Sequence, residues 1–282
     1  MPSVVPSDDA VDVPPEHVLL VVDMKGYSQI PELHMAPTRA RLDHIVSTLF
    51  EQSGIGDVST LENAVKDRGD GAIFVLPARH AARLVDPFLD NLRQALDRHE
   101  RSRLADEPKL RLRASVHVGP LEPPAHRGDA ANDACRLVDS EPAYQAMAAA
   151  TDHELPLAAV VSDSVFRRAV RAGRTPTLQP RHFLRATARV DGKPEFEETC
   201  WVFVPGLVPA VISPYLSNDD TVVPGPGDRT PTAPSATVDA GSDERGASVR
   251  MKGRASGKAR LIQVGRDYIA GSDRPRPTEP SE

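Results

Sequence analysis

The chain has 282 residues, 40% hydrophobic but only 4% aromatic, with 27 Pro and 18 Gly, which suits one domain of ordinary size plus tails. A formal net charge of −6 argues against a general nucleic-acid binder, which needs a basic face to neutralise phosphates. Cys135 and Cys200 fit neither a zinc spacing nor a disulfide framework. No apolar run approaches the ~18 residues that span a bilayer, so a cytoplasmic protein without a membrane partner is expected.

Residues 1–16, with Asp8, Asp9 and Asp12, read as a disordered leader and not as a signal peptide. The folded text is expected over 17–206. It opens with Val18-Leu19-Leu20-Val21-Val22, a short β-branched run that reads as a buried strand ending in Asp23. A helix is expected from about Leu33 to Ser53, stopped by Gly54 and Gly56. Ala64-Val65-Lys66 and Ala72–Leu76 flank Gly69-Asp70-Gly71, and Asp-Gly between such runs is a hairpin signal.

Leu84, Val85, Phe88, Leu89, Leu92 and Leu96 recur at helical spacing, and Lys109–Val118 alternates as a strand. One long helix is expected over about 129–149. A strand at Leu157–Val161 and a helix from Ser162, a natural N-cap, follow. Arg181–Val190 and Phe196–Val204 form a second hairpin around Asp191-Gly192-Lys193, and Pro205-Gly206 closes the domain. Residues 207–247, rich in Pro, Gly, Ser, Thr and Asp, read as a flexible linker. Apolar β-formers return over 248–271, ahead of a disordered tail at 272–282.

Asp23 at a strand end and Asp70 at a hairpin tip are candidate ligands of one metal site if their strands are neighbours. Magnesium takes oxygen ligands, commonly one or two carboxylates plus substrate phosphates. Gly26 permits a sharp turn that would aim the amides of Lys25, Gly26, Tyr27 and Ser28 at a triphosphate. Taken singly, each Asp also reads as a plain turn former. Both carboxylates are expected at solvent-accessible positions. The histidines, His80, His117 and His126 among them, are too scattered for a metal triad, and Gly253–Ala259 is one residue short of a P-loop.

Together the motifs resemble those of class III adenylyl and guanylyl cyclases. Asp23-Met24-Lys25-Gly26-Tyr27-Ser28 resembles their strand-end motif. Lys66-Asp67-Arg68-Gly69-Asp70 is similar to their second metal motif. Gly128–Leu137, with Asn132 and Arg136, resembles the helix that carries their Asn and Arg. The resemblance spans about 190 residues and implies an α/β, ferredoxin-like sandwich that pairs head to tail as a homodimer.

It further implies that Asp23 and Asp70 bind two Mg²⁺ or Mn²⁺ ions, with Met24–Ser28 and Lys66 contacting a nucleoside triphosphate. Asn132 would orient the ribose and Arg136 the phosphate, both from the partner subunit. Lys193 lies near the family's phosphate-binding lysine. The partner of the base-reading lysine falls at Ala125, whose side chain accepts no hydrogen bond, so the base is open among ATP, GTP, CTP and UTP.

Ile262-Gln263-Val264-Gly265 resembles the tetrad of the RIP homotypic interaction motif, an amyloid signalling motif. It implies self-assembly or recruitment of a partner with a similar segment. An extra strand on the domain, or a solvated basic tail, are the simpler readings. The functional expectation is a nucleotidyl cyclase making a 3′,5′-cyclic nucleotide and pyrophosphate. The alternative is an inactive cyclase-like adaptor that signals through its C-terminal motif.

Overall fold

The structure is a computed structural model that describes residues 12–216. The strands are β1 (Glu16–Met24), β2 (Val65–Asp67), β3 (Gly71–Pro77), β4 (Leu112–Pro120), β5 (Leu157–Ser162), β6 (Leu184–Val190) and β7 (Lys193–Phe203). The helices are α1 (Glu32–Gln52), α2 (Ala81–Arg83), α3 (Leu89–Ser102), α4 (Asp129–Val138), α5 (Glu141–Asp152), α6 (Asp163–Ala169) and α7 (Pro209–Ile212). One sheet runs β2-β3-β1-β4-β5-β7-β6.

β2, β3, β1 and β4 are antiparallel throughout. With α1 and α3 in the crossovers, this is the ferredoxin-like arrangement expected from the sequence. β5 then adds parallel to β4, and the β6–β7 hairpin extends the sheet antiparallel.

β1 lacks polar alternation because both its faces are covered. Val18, Leu20 and Val22 pack in one cluster with Leu42 and Val46 of α1 and Leu92 and Leu96 of α3. Leu19 and Val21 face the other way, against Ala130, Ala134 and Val138 of α4. Each such side chain contributes about 1.5–3 kcal/mol on burial, which fixes the register: a one-residue slip would swap the two faces.

Three expectations need correction. The helix expected over 129–149 is two helices. Ser140 Oγ donates to Leu137 O at 2.7 Å, and Pro142, at the start of α5, has no N–H with which to continue α4. The run from Leu84 to Leu96 loses helical geometry at Asp86 (φ −144°, ψ 112°), just before Pro87. There the Asp86 carboxylate accepts from Thr177 N at 2.7 Å, Thr177 Oγ1 at 2.9 Å and Leu178 N at 3.1 Å.

The domain also does not close at Gly206. Residues 207–216, read as the start of the linker, pack back on α5, burying Ile212 and Leu216. Tyr215 Oη donates to Asp152 Oδ2 at 2.9 Å. The rest of the expected linker and the motif Ile262–Gly265 lie outside the described residues.

Candidate active site

The two carboxylates meet at one end of the sheet. In the β1–β3 ladder Asp23 stands opposite Gly71, and Met24 N donates to Asp70 O at 3.0 Å. Gly71 is required here because a Cβ would sit 2.0 Å from Val22 O. That approach of backbones draws the hairpin tip carrying Asp70 against the end of β1. The carboxylates are near enough for the Asp70 charge to raise the Asp23 pKa.

Asp23 is not solvent-accessible as expected: it is 5% exposed, while Asp70 is half-buried. Its partner is Arg113, directly across the β1–β4 ladder and 8% exposed. Arg113 Nε donates to Asp23 Oδ2 at 3.1 Å, and Nη2 donates to the same oxygen. The Tyr144 ring of α5 covers the guanidinium, its centroid 3.7 Å from Cζ, in a cation–π contact. Burial pushes the Asp23 carboxyl above the usual carboxylate range, Arg113 opposes that shift, and Asp70 and Asp139 add to it.

The turn after β1 is tight, with Gly26 left-handed at φ 76° and a single 3₁₀ turn over Tyr27–Gln29. It does not offer every group expected of it. Met24 is buried in the core and its amide is taken by Asp70. Lys25 N donates to Arg111 O at 2.8 Å, and Lys25 Nζ reaches Thr151 Oγ1 at 3.0 Å. Gly26 and Ser28 stay exposed, and Tyr27 leans on the core.

Lys66 Nζ donates to His126 O at 2.6 Å and so holds the loop between β4 and α4. Asn63 Nδ2 supports the same loop through Pro124 O at 3.0 Å. Lys66, Asn63, Ala125 and Arg127 line one open cavity, so the structure does bring Lys66 and Ala125 together. Burial and then the Arg127 charge lower the Lys66 pKa. Among the described residues no carboxylate lines that cavity.

Asn132 and Arg136 project one helical turn apart on α4, Asn132 exposed and Arg136 half-buried. Arg136 Nη1 donates to Asp133 Oδ1 at 3.2 Å, and its Cζ lies 5.4 Å from the Phe196 ring. Its Nε is shielded from solvent without an acceptor among the described residues. Lys193 opens β7, exposed, close enough to α4 to act electrostatically on Cys135.

Arg113 was missed in the sequence. The signal was there: Leu110, Leu112, Ala114 and Val116 mark one buried face of a strand whose other face is also covered, and an arginine on that face needs a carboxylate. Among the described residues no group of three or more His, Cys, Asp or Glu side chains stands ready to hold a metal ion. The donor set is two adjacent carboxylates. This fits magnesium or manganese, hard cations that complete their shell with water and substrate phosphate oxygens.

No family model matches the chain, and no curated protein matches it. Solved structures are similar in fold. One is the catalytic core of a rhodopsin-guanylyl cyclase with converted specificity, in complex with ATPalphaS, at 16% identity over 68% of this chain and 97% of that chain (TM-score 0.43). Another is an adenylate/guanylate cyclase/hydrolase from Silicibacter pomeroyi, at 20% identity over 68% and 98% (TM-score 0.47). A bacterial light-regulated adenylyl cyclase is similar at 15% identity over 73% and 58% (TM-score 0.45).

Proposed function

We propose that the chain is a nucleotidyl cyclase acting as a homodimer, with Asp23 and Asp70 holding two divalent ions. The observation that carries this reading is the ladder register that sets Asp23 opposite Gly71, with Met24 N bonded to Asp70 O. Two carboxylates from distant parts of the chain are thereby joined at one sheet end, next to an exposed, glycine-permitted turn.

The substrate is a nucleoside triphosphate. Its 3′-hydroxyl gives up its proton to solvent as the oxygen bonds to the α-phosphorus, the bond from that phosphorus to the bridging oxygen breaks, and pyrophosphate leaves with the bond's electron pair. Asn132 of the partner protomer orients the ribose. The partner's Arg136 meets the charge that grows on the phosphoryl oxygens, and Lys193 adds a further cation. Divalent ions held by Asp23 and Asp70 would supply Lewis-acid stabilisation of that charge and would lower the pKa of the attacking hydroxyl. Arg113 holds the Asp23 carboxylate in place and opposes the upward pKa shift that burial imposes on it. Incubating the full chain with each of the four nucleoside triphosphates and Mn²⁺ or Mg²⁺ tests the reading. One of them should yield its cyclic nucleotide and equimolar pyrophosphate. Nucleotide binding without product from any of the four would favour the inactive adaptor.

The C-terminal tetrad Ile262–Gly265 is proposed as a recruitment segment, on the strength of its β-prone sequence and central Gln263. A peptide spanning residues 248–271 should form fibrils with a ~4.7 Å repeat, and four alanines at the tetrad should stop it. A wild-type peptide that stays monomeric, seeded or not, would contradict the assignment.

A further inference from the structure

The hairpin that carries Asp70 also carries a cation to which the preceding roles assign nothing. Arg68 stands two residues before Asp70, in a turn closed by Arg68 N donating to Gly71 O at 3.0 Å. Its Nη2 donates to Asp139 Oδ2 at 3.2 Å, at the C-terminal cap of α4. The side chain is 26% exposed, yet its Nη1 is shielded from solvent and has no acceptor among the described residues. A shielded charged donor left without an acceptor is costly, and native proteins seldom keep one without a use.

The electrostatic surroundings say what acceptor would suit it. Asp23 feels both Asp70 and Asp139 as like charges, and Arg68 feels Asp139 and Asp23 as opposite ones. With Arg113, three carboxylates and two guanidinium groups share this end of the sheet, beside the Arg39–Asp67 pair and the Lys25 ammonium. Divalent ions bound to Asp23 and Asp70 would add positive charge there. They would also draw the Asp23 oxygens away from Arg113. A triphosphate arriving with the ions supplies both the missing charge and the missing oxygens, and a planar guanidinium matches phosphate well.

We infer that Arg68 contacts the phosphates of the substrate, in the same protomer as Asp23 and Asp70, through the edge that Asp139 leaves free. Asp139 is then a positioning residue, holding that guanidinium in place from α4. The inference rests on the proposed cyclase reading, and its test does not depend on turnover.

The full chain and its Arg68→Ala and Arg68→Lys variants are titrated calorimetrically with pyrophosphate in the presence of Mn²⁺, and thermal midpoints are recorded alongside. Loss of a charge-assisted contact should weaken pyrophosphate about tenfold or more in Arg68→Ala. Arg68→Lys, which keeps the charge without the fork, should fall between. Where turnover is measured, KM should rise by the same factor as the pyrophosphate constant.

Wild-type affinity in folded Arg68→Ala overturns the inference. If that variant does not fold, wild-type affinity in Arg68→Lys overturns it. A wild-type chain that binds Mn²⁺-pyrophosphate but forms no cyclic nucleotide sinks the cyclase reading alone, and the affinities still decide on Arg68. A wild-type chain that binds no Mn²⁺-pyrophosphate overturns the Arg68 contact, while cyclic-nucleotide formation alone decides the cyclase reading.

Discussion

Asp23 and Arg136 are each half of an ion pair, and the two pairs are built in opposite ways. Asp23–Arg113 joins positions 90 residues apart, on two central strands, with both side chains below 10% exposed. Arg136–Asp133 lies within one turn of α4, with both side chains more than a quarter exposed. The first is fixed by sheet register and shielded from water, so neither partner can leave without stranding the other. The second is local and wet, so Arg136 can leave Asp133 for a phosphate at little cost. The carboxylate end of the proposed site is therefore part of the core, while the helix end lies at the surface, as a site shared between protomers would require.

The sharpest way to break this contrast is to remove the carboxylates one at a time. Asp23→Ala and Asp70→Ala should each reduce turnover by about 100-fold or more, as expected when charge stabilisation is lost. Their stabilities should part company. Asp23→Ala strands Arg113 and should cost about 3–5 kcal/mol in denaturant unfolding, and Arg113→Leu should do the same through Asp23. Asp70→Ala, at a half-buried hairpin tip, should stay within about 1 kcal/mol of wild type. Arg136→Leu should fall at the small end, within about 1 kcal/mol, because it breaks only the half-exposed pair. Equal losses for Asp23→Ala and Asp70→Ala would erase the distinction between a core-bound and a surface carboxylate.

The same contrast explains how far the sequence could be read. β1 was legible because five consecutive apolar residues before Asp23 leave few alternatives. The β2–β3 turn was legible because Asp70-Gly71 is a local signal. Those two elements locate both carboxylates. The pattern around Arg113 signalled that a buried arginine needs a carboxylate, but that the carboxylate is Asp23 needed the ladder register, which no local pattern states. Which amides of the turn are free was hidden too, since Lys25 N and Met24 N are taken by Arg111 and Asp70, both distant in sequence.

The split between α4 and α5 was readable after all. Ser140-Glu141-Pro142 holds an N-cap residue and a proline inside the first turn, and the continuous run of helix formers around it masked the break. Residues 207–216 were misread for the converse reason. They were grouped with the Pro- and Gly-rich text that follows, although Leu207, Val208, Val211, Ile212 and Leu216 are apolar, and Ile212 and Leu216 find apolar room against α5.

In the proposed enzyme each site is assembled from the carboxylates of one protomer and α4 of the other. This sharing is tested most directly by complementation. Asp70→Ala and Arg136→Ala are purified separately, each expected to be inactive, then mixed under conditions where dimers exchange. A mixed dimer holds one site with both lesions and one with neither, so activity should return toward about a quarter of the wild-type value at equal mixing under random pairing. Mixed dimers that form, shown by differential tagging, yet stay inactive would contradict a site shared between protomers.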